Sequence, residues 1–328
     1  MLTPLPVEQR AQGGLFLFKN MPIIPYTKPA ITYADQLQQL KNRGLGIEND
    51  SKALFLLQNI SYYRLSYWYP LIDNPKNLHV FKAGSTFGMA FNMYCFDREL
   101  RKLVTAELEK IEVAIRAKMI YILSHQYGPF WYSDSNLFVH ANRHTTSIKK
   151  LTEEYNRSDE QFLLSFKSNY SDPLPPSWML LEVSSFGGLS HLYKNLKPVR
   201  SKRDIANYFG LDSRTFESWL HSIGYIRNVC AHHSRLWNRV MRITPTMPTS
   251  PLNTWLTTTV ITNSITGISE PVNNRTYYLL SMMIYLLQVI NPNHSFKDKF
   301  LDLFVKYQNI DPAAMGFPPT WMDEPLWQ

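Results

Sequence analysis

Two cysteines, Cys95 and Cys230, are all that 328 residues provide. That excludes a disulfide framework and makes a reducing cytoplasm the expected location. It also argues against zinc. Cys230 lies beside His232 and His233, but a zinc site takes about four ligands, and no second Cys or His cluster at ligand spacing exists. No metal and no other cofactor is expected. Long apolar runs are missing too: nothing approaches the ~20 residues that cross a bilayer, so no membrane partner is expected. The stretch Met1 to Asn20 lacks a basic leading region, and its apolar piece Leu15-Phe16-Leu17-Phe18 ends at Lys19, unlike a signal peptide. Strand-period alternation, internal repeats and low-complexity tracts are absent, as are a G-x-G-x-x-G and a P-loop.

What is present is a globular, basic chain. Lys and Arg outnumber Asp and Glu by 34 to 26, which leaves a net charge of +8. That balance suits a polyanionic partner and says nothing about fold. A 45% hydrophobic fraction with only 18% charged residues is far from the composition of a disordered chain. The length exceeds the ~250–300 residues at which single cores stop growing, so one large or two closely packed helical units fit.

One stretch concentrates the chemistry. Ile226-Arg227-Asn228-Val229-Cys230-Ala231-His232-His233-Ser234-Arg235-Leu236-Trp237-Asn238-Arg239 packs three arginines and two adjacent histidines among apolar residues. A helix running through it would carry an apolar side and a cationic side. Asn228 and His232, four apart, would share a face. Arg227 and His232, five apart, would sit about 140° around and about 7.5 Å along the axis, a gap that an arginine arm can span. Arginine grips phosphate through a planar fork, and histidine moves protons near neutrality. The plain alternative is a solvated Arg/His-rich helix face.

This run resembles the signature of the Abi-like (abortive infection, AbiD/AbiF) family of bacterial phage-defence proteins. Its R-N-x-C-A-H-H form is similar to the R-x(4–6)-H motif of HEPN ribonucleases. Further blocks carry the resemblance: Asn59-Ile60-Ser61-Tyr62-Tyr63-Arg64-Leu65, Phe96-Asp97-Arg98-Glu99-Leu100-Arg101, Leu108-Glu109-Lys110-Ile111-Glu112, Glu182-Val183-Ser184-Ser185-Phe186-Gly187 and Met315-Gly316-Phe317-Pro318. They extend it from about Lys28 to the C-terminus. The resemblance implies an all-α, HEPN-like bundle with additional N-terminal helices, and metal-independent cleavage of RNA through 2′-OH attack. His232 would move the proton, Arg227 hold the phosphate oxygens and Asn228 orient either, with His233 as the alternative proton carrier. One motif copy per chain implies a homodimer with a shared site. The phage-defence context implies a cellular or phage RNA target and a possible toxin–antitoxin pairing. A non-catalytic module for a small regulatory RNA and a helical protein adaptor are the rival readings.

Other residues can be placed in chain order. Residues 1–27, with Pro4, Pro6, Gly13, Gly14, Pro22 and Pro25, read as an extended or disordered arm ahead of a helical region from 28 to 328. A helix is expected from Thr32 to Gly44, and another from Ser51 as cap, burying Leu54, Leu57 and Ile60. Tyr62, Tyr63 and Arg64 open a run of five aromatics that could stack bases or wedge helices, with Arg64 needing an internal carboxylate or a phosphate. The longest helix is expected from Ser85 or Thr86 to Tyr127, with Leu100, Val104, Leu108, Ile111, Ile115, Met119 and Ile122 as its buried stripe. Glu112 flanks that stripe and is expected to pair with Arg116, or to orient a site residue. Further helices are expected at about 145–155 and 159–166. Gly187-Gly188 permits a tight turn or close helix contact, and Glu182 is expected to be buried. Lys197, Arg200, Lys202 and Arg203 read as a solvated basic patch that, with Arg235 and Arg239, would join the RNA track. Asp212 and Ser213 cap the approach to the signature helix. Residues 244–273 read as loop with one short helix, 277–290 as a strongly apolar helix, and Ser295 as the cap of a last helix through Tyr307.

Overall fold

The computed structural model describes residues 25–73, 75–262 and 269–328. Among the described residues its architecture is all-α apart from one antiparallel pair of short strands, and the chain divides into two compact units after Phe96. The expected arm lies outside the described residues except for positions 25–27, which carry no regular structure.

In the first unit, helix α1 (Tyr33–Asn42) opens with a reciprocal capping box. The Thr32 hydroxyl accepts the Asp35 N–H at 3.1 Å, and the Asp35 carboxylate accepts the Thr32 N–H at 3.2 Å. Helix α2 (Asp50–Ile60) starts earlier than Ser51 predicts, because the Asn49 side chain takes the capping role and accepts the Lys52 N–H at 2.9 Å. That choice buries Ala53 and Leu57 fully and leaves Leu54 and Ile60 partly buried. Leu37, Leu40, Leu57, Leu65, Trp68, Phe81 and Phe87 form the core of this unit.

The long helix α3 (Phe87–Tyr127) begins where Thr86 accepts the Met89 N–H and continues into the second unit. Leu100, Val104, Leu108, Ile111, Ile115 and Met119 are buried as a stripe. At its end a step of four replaces the expected step of three, so Leu123 is buried while Ile122 is only partly so. The expected short helices are longer: α4 spans Ala141–Arg157 and α5 Gln161–Asn169. After the short α6 (Ser177–Leu180), α7 (Phe186–Asn195) is capped by Ser185, which accepts the Gly188 N–H at 3.3 Å. Gly187 and Gly188 therefore lie in a first helical turn rather than a tight turn. Glu182 leaves half of its side chain exposed instead of buried.

Helix α8 (Arg200–Tyr208) precedes α9 (Ser213–Ala231), whose cap Asp212 accepts the N–H groups of Arg214 and Thr215 at 2.9 and 3.0 Å. Helix α7 packs against both α4 and α9. The 244–273 segment holds strands β1 (Val260–Thr262) and β2 (Ser269–Pro271) and reaches into a 3-10 turn at Val272–Asn274; no α-helix forms among its described residues. Helix α10 (Thr276–Ile290) is buried at every position from Thr276 to Leu287, as its all-round apolarity requires. Helix α11 (Phe296–Lys306) comes next, with Ser295 at the cap position but making no side-chain capping bond.

Candidate active site

The signature does not run through as one helix. Phe216, Trp219, Leu220, Ile223, Ile226 and Cys230 give α9 a buried face up to its last turn, and the helix ends at Ala231. His232 is the cap residue, and His233 takes a left-handed backbone at φ +54°. The Ser234 N–H then reaches the Val229 carbonyl at 2.9 Å and the His233 N–H reaches that of Cys230 at 3.0 Å, a Schellman closure. Glycine usually fills that left-handed position, since a side chain there costs roughly 1–2 kcal/mol. The His232 N–H still donates to the Asn228 carbonyl at 3.0 Å, so His232 stays on the helical face of Asn228. His233 is turned away from that continuation. Arg227, Asn228, His232 and His233 are all exposed.

The segment after the helix is pinned from below. Asp97, fully buried on α3, accepts the Leu236 N–H at 2.9 Å and the Trp237 N–H at 2.7 Å through one oxygen and pairs with Arg101 through the other. Arg101, itself buried, also donates to the Ser234 carbonyl at 3.3 Å. The Thr276 hydroxyl at the head of α10 donates to the Leu236 carbonyl at 2.8 Å. Leu236 and Trp237 therefore belong to the core rather than to an exposed helix face. Sequence reasoning misses Asp97 and Arg101 as site residues. Their signal is an acid and a base four apart inside the Phe96-to-Arg101 block, both in the apolar register of α3. Beneath the turn, burial pushes the Cys230 thiol up to about 11 despite the Thr105 hydroxyl beside it, which leaves it a poor nucleophile.

Glu112 meets Arg227, not Arg116. Its carboxylate lies 3.9 Å from the Arg227 Nε, with the Glu112 side chain 16% exposed and that of Arg227 52%. Burial raises the Glu112 carboxyl above its ordinary value; Arg227 and then Arg116 oppose the shift. The expected Glu112–Arg116 pair is displaced because Arg116 turns to the loop before α7. There it donates to the Ser184 carbonyl at 3.1 Å and lies 3.8 Å from Glu182. At 3.9 Å the Glu112–Arg227 contact aims the guanidinium more than it stabilises the fold. A cleft of about 370 Å³ opens beside it, lined by Arg227, Asn228, His191 and His221 among others.

The remaining expected RNA contacts are dispersed. Arg239 folds back, donating to the Arg235 carbonyl at 2.6 Å and to the Tyr225 hydroxyl at 3.3 Å. Lys202 is not solvated. It is buried, and its ammonium is satisfied there by the carbonyls of Lys194 and Leu196 and by Glu217 at 3.3 Å. Lys197, Arg200 and Arg203 are exposed, with Arg200 3.5 Å from Asp204. Glu217, the partner of Lys202, precedes Arg227 by ten residues on α9, about 15 Å along the axis. In the first unit, Tyr62 packs edge-on against Trp68 with ring centroids 4.8 Å apart and accepts from Arg43 at 3.1 Å, so it serves as a wedge. Tyr63 and Arg64 are exposed.

Among the described residues, no group of three or more His, Cys, Asp or Glu could hold a metal ion, and no helix is long and apolar enough to cross a membrane. One family model, described as Abi-like protein, matches residues 55–238, more than half of the chain. The match starts within α2, ends just past the turn held by Asp97, and stops short of Met315-Gly316-Phe317-Pro318. No curated protein and no solved structure matches the chain.

Proposed function

The chain belongs to the Abi-like family of abortive-infection proteins, and from that premise we propose that it acts in phage defence as a metal-independent endoribonuclease. The observation that carries the reading is the last turn of α9. Arg227, 3.9 Å from the partly buried Glu112 carboxylate, stands next to Asn228, and His232 caps the helix five residues on, with Arg227, Asn228 and His232 all exposed.

Those groups supply the chemistry. His232 takes the proton of a ribose 2′-OH while the oxygen attacks the adjacent phosphorus. A bond forms between O2′ and phosphorus, the bond to O5′ breaks, and the departing O5′ takes a proton returned by an imidazolium. The products are a 2′,3′-cyclic phosphate and a 5′-hydroxyl. Arg227 holds the non-bridging oxygens where negative charge builds, and Asn228 donates a hydrogen bond to the phosphate or steadies the histidine. Glu112 supports this role by standing 3.9 Å from the Arg227 Nε, and Arg227 lines the cleft.

A homodimer completes the reading. The chain carries one copy of the R-N-x-C-A-H-H motif, and a second chain would supply the other half of a shared site. Helix α3 also exposes Val113 and Tyr121, apolar area that a partner could cover.

The test is incubation of the purified protein with single-stranded RNA in excess EDTA. The expected result is cleavage that leaves 2′,3′-cyclic phosphate ends and is abolished in a strand with no 2′-OH. Abolition by EDTA with rescue by a divalent ion sinks the mechanism. Tight binding without cleavage moves the protein to the class of RNA-binding modules.

A further inference from the structure

A second cleft, of about 530 Å³, opens between α4, α7 and α9. Its walls carry Arg143 and Lys150 from α4, His191 and Lys194 from α7, and His221 from α9. Ser190, His191 and His221 line this cleft and also the smaller one at Arg227 and Asn228. The two clefts therefore adjoin along a shared wall, and the smaller one reaches Arg227 and Asn228.

Charge and spacing point to what it holds. Arg143 and Lys150 are seven apart, two turns of α4, so their heads recur on one side at a separation of about 10 Å. His221 and Asn228 have the same spacing on α9. Among the described lining residues of the larger cleft, Glu154 is the single acid, and one of its oxygens accepts the Ser185 N–H at 3.3 Å. Lys194 leans 3.6 Å toward Glu217; Arg143 and Lys150 are exposed. Burial lowers the His191 imidazole below its usual range, and Lys150, His221, Lys194 and Arg143 lower it further. No Phe, Tyr or Trp is among the described residues lining the larger cleft, which offers cations without aromatic stacking faces; Phe186 and Tyr225 line only the smaller one. Backbone contacts position a strand; base contacts read it.

We propose that this groove binds the sugar–phosphate backbone of a single-stranded RNA and leads it to Arg227, with Arg143 and Lys150 each neutralising one phosphate. The identity of the strand rests on the ribonuclease reading; the phosphodiester specificity rests on the groove itself.

The test is fluorescence anisotropy with a labelled, uncleavable 2′-O-methyl oligoribonucleotide across a salt series. Arg143→Ala/Lys150→Ala is compared with Lys149→Ala/Arg157→Ala, which removes the same charge from the same helix outside the groove. For single strands the log–log salt slope is about −0.7 per phosphate neutralised. The groove variant is expected to bind more weakly with a slope less negative by about 1.4, and the control to keep the wild-type slope. Equal effects of the two variants, or no binding by the wild type at low salt, overturn the proposal. ATP in the micromolar range displacing the oligonucleotide also overturns it, in favour of a mononucleotide pocket. Cleavage is measured separately. A wild type that cuts nothing while binding depends on the groove residues removes the ribonuclease reading alone. Cleavage with binding indifferent to Arg143 and Lys150 removes the groove alone.

Discussion

Asp97 accepts the Trp237 N–H at 2.7 Å, across 140 residues of sequence. The same oxygen takes the Leu236 N–H, and Arg101 holds the other. The loop that leaves the signature helix is thereby tied to the long helix by a buried, charge-assisted set of bonds.

Removing one member of that set should be costly. Asp97→Ala leaves Arg101 charged in the interior and two N–H groups without an acceptor, a loss expected at about 3–5 kcal/mol. Asp97→Ala/Arg101→Met removes both charges and should recover part of it, so the two losses are strongly non-additive. Urea unfolding of the four proteins measures the coupling. Additive losses within about 0.5 kcal/mol would mean that the pair is not the clamp described.

Glu112→Gln separates positioning from stability. Burial raises the Glu112 carboxyl, so the folded state holds a proton that the unfolded state releases. Between the ordinary value of 4.5 and the raised one, stability therefore falls as pH rises, and the ionised carboxylate is a net cost above both. The Gln variant should be at least as stable as the wild type at pH 7, with the gain vanishing below about pH 4.5. Its cleavage should fall by about tenfold to a hundredfold, since a misaimed Arg227 loses its grip on the transition state. A thermal melt and a cleavage rate at neutral pH decide it; a variant that loses stability and keeps activity contradicts the positioning role.

His232 and His233 should behave oppositely. His232→Ala should lower cleavage by at least about a hundredfold with helix content intact. His233→Gly should relieve the positive φ and raise stability by up to about 1 kcal/mol, after the added freedom of the unfolded chain is counted. Its cleavage should stay within a few-fold of wild type. The reverse order of activities would move the proton carrier to His233.

RNA binding should take up protons. His191 is held below its usual range by burial and by Lys150, His221, Lys194 and Arg143, on α4, α7 and α9. A phosphate beside it favours the protonated ring, so the pKa rises on binding and affinity strengthens as pH falls from about 7.5 toward about 5.5. His191→Gln should flatten that dependence. Anisotropy titrations at several pH values, with the uncleavable strand, check both; an affinity that is flat in wild type counts against His191 as a phosphate neighbour.

Much of this protein was written locally. Thr32 and Asp212 cap their helices because the capping oxygen and the N–H it satisfies lie within a few residues. The stripe from Leu100 to Met119 is buried because a 3.6-residue period forces those side chains onto one face, whatever they meet. The all-α architecture comes from the same short-range patterns, and the roles proposed for Arg227, Asn228 and His232 come from the family signature.

Tertiary structure decided the rest, because it depends on which distant groups meet. The signature helix stops at Ala231, though its periodicity continues to Trp237, because Asp97 captures the Leu236 and Trp237 N–H groups that another helical turn would have used. Arg227 rather than Arg116 faces Glu112 because Ser184 and Glu182 draw Arg116 aside. Lys202 is buried while its neighbours Arg200 and Arg203 are exposed, because carbonyls of Lys194 and Leu196 converge on that one ammonium. Arg143, Lys150, His191 and His221 share a groove only after α4, α7 and α9 pack. A cation in a sequence is neither ligand nor solvated face until the fold places its neighbours.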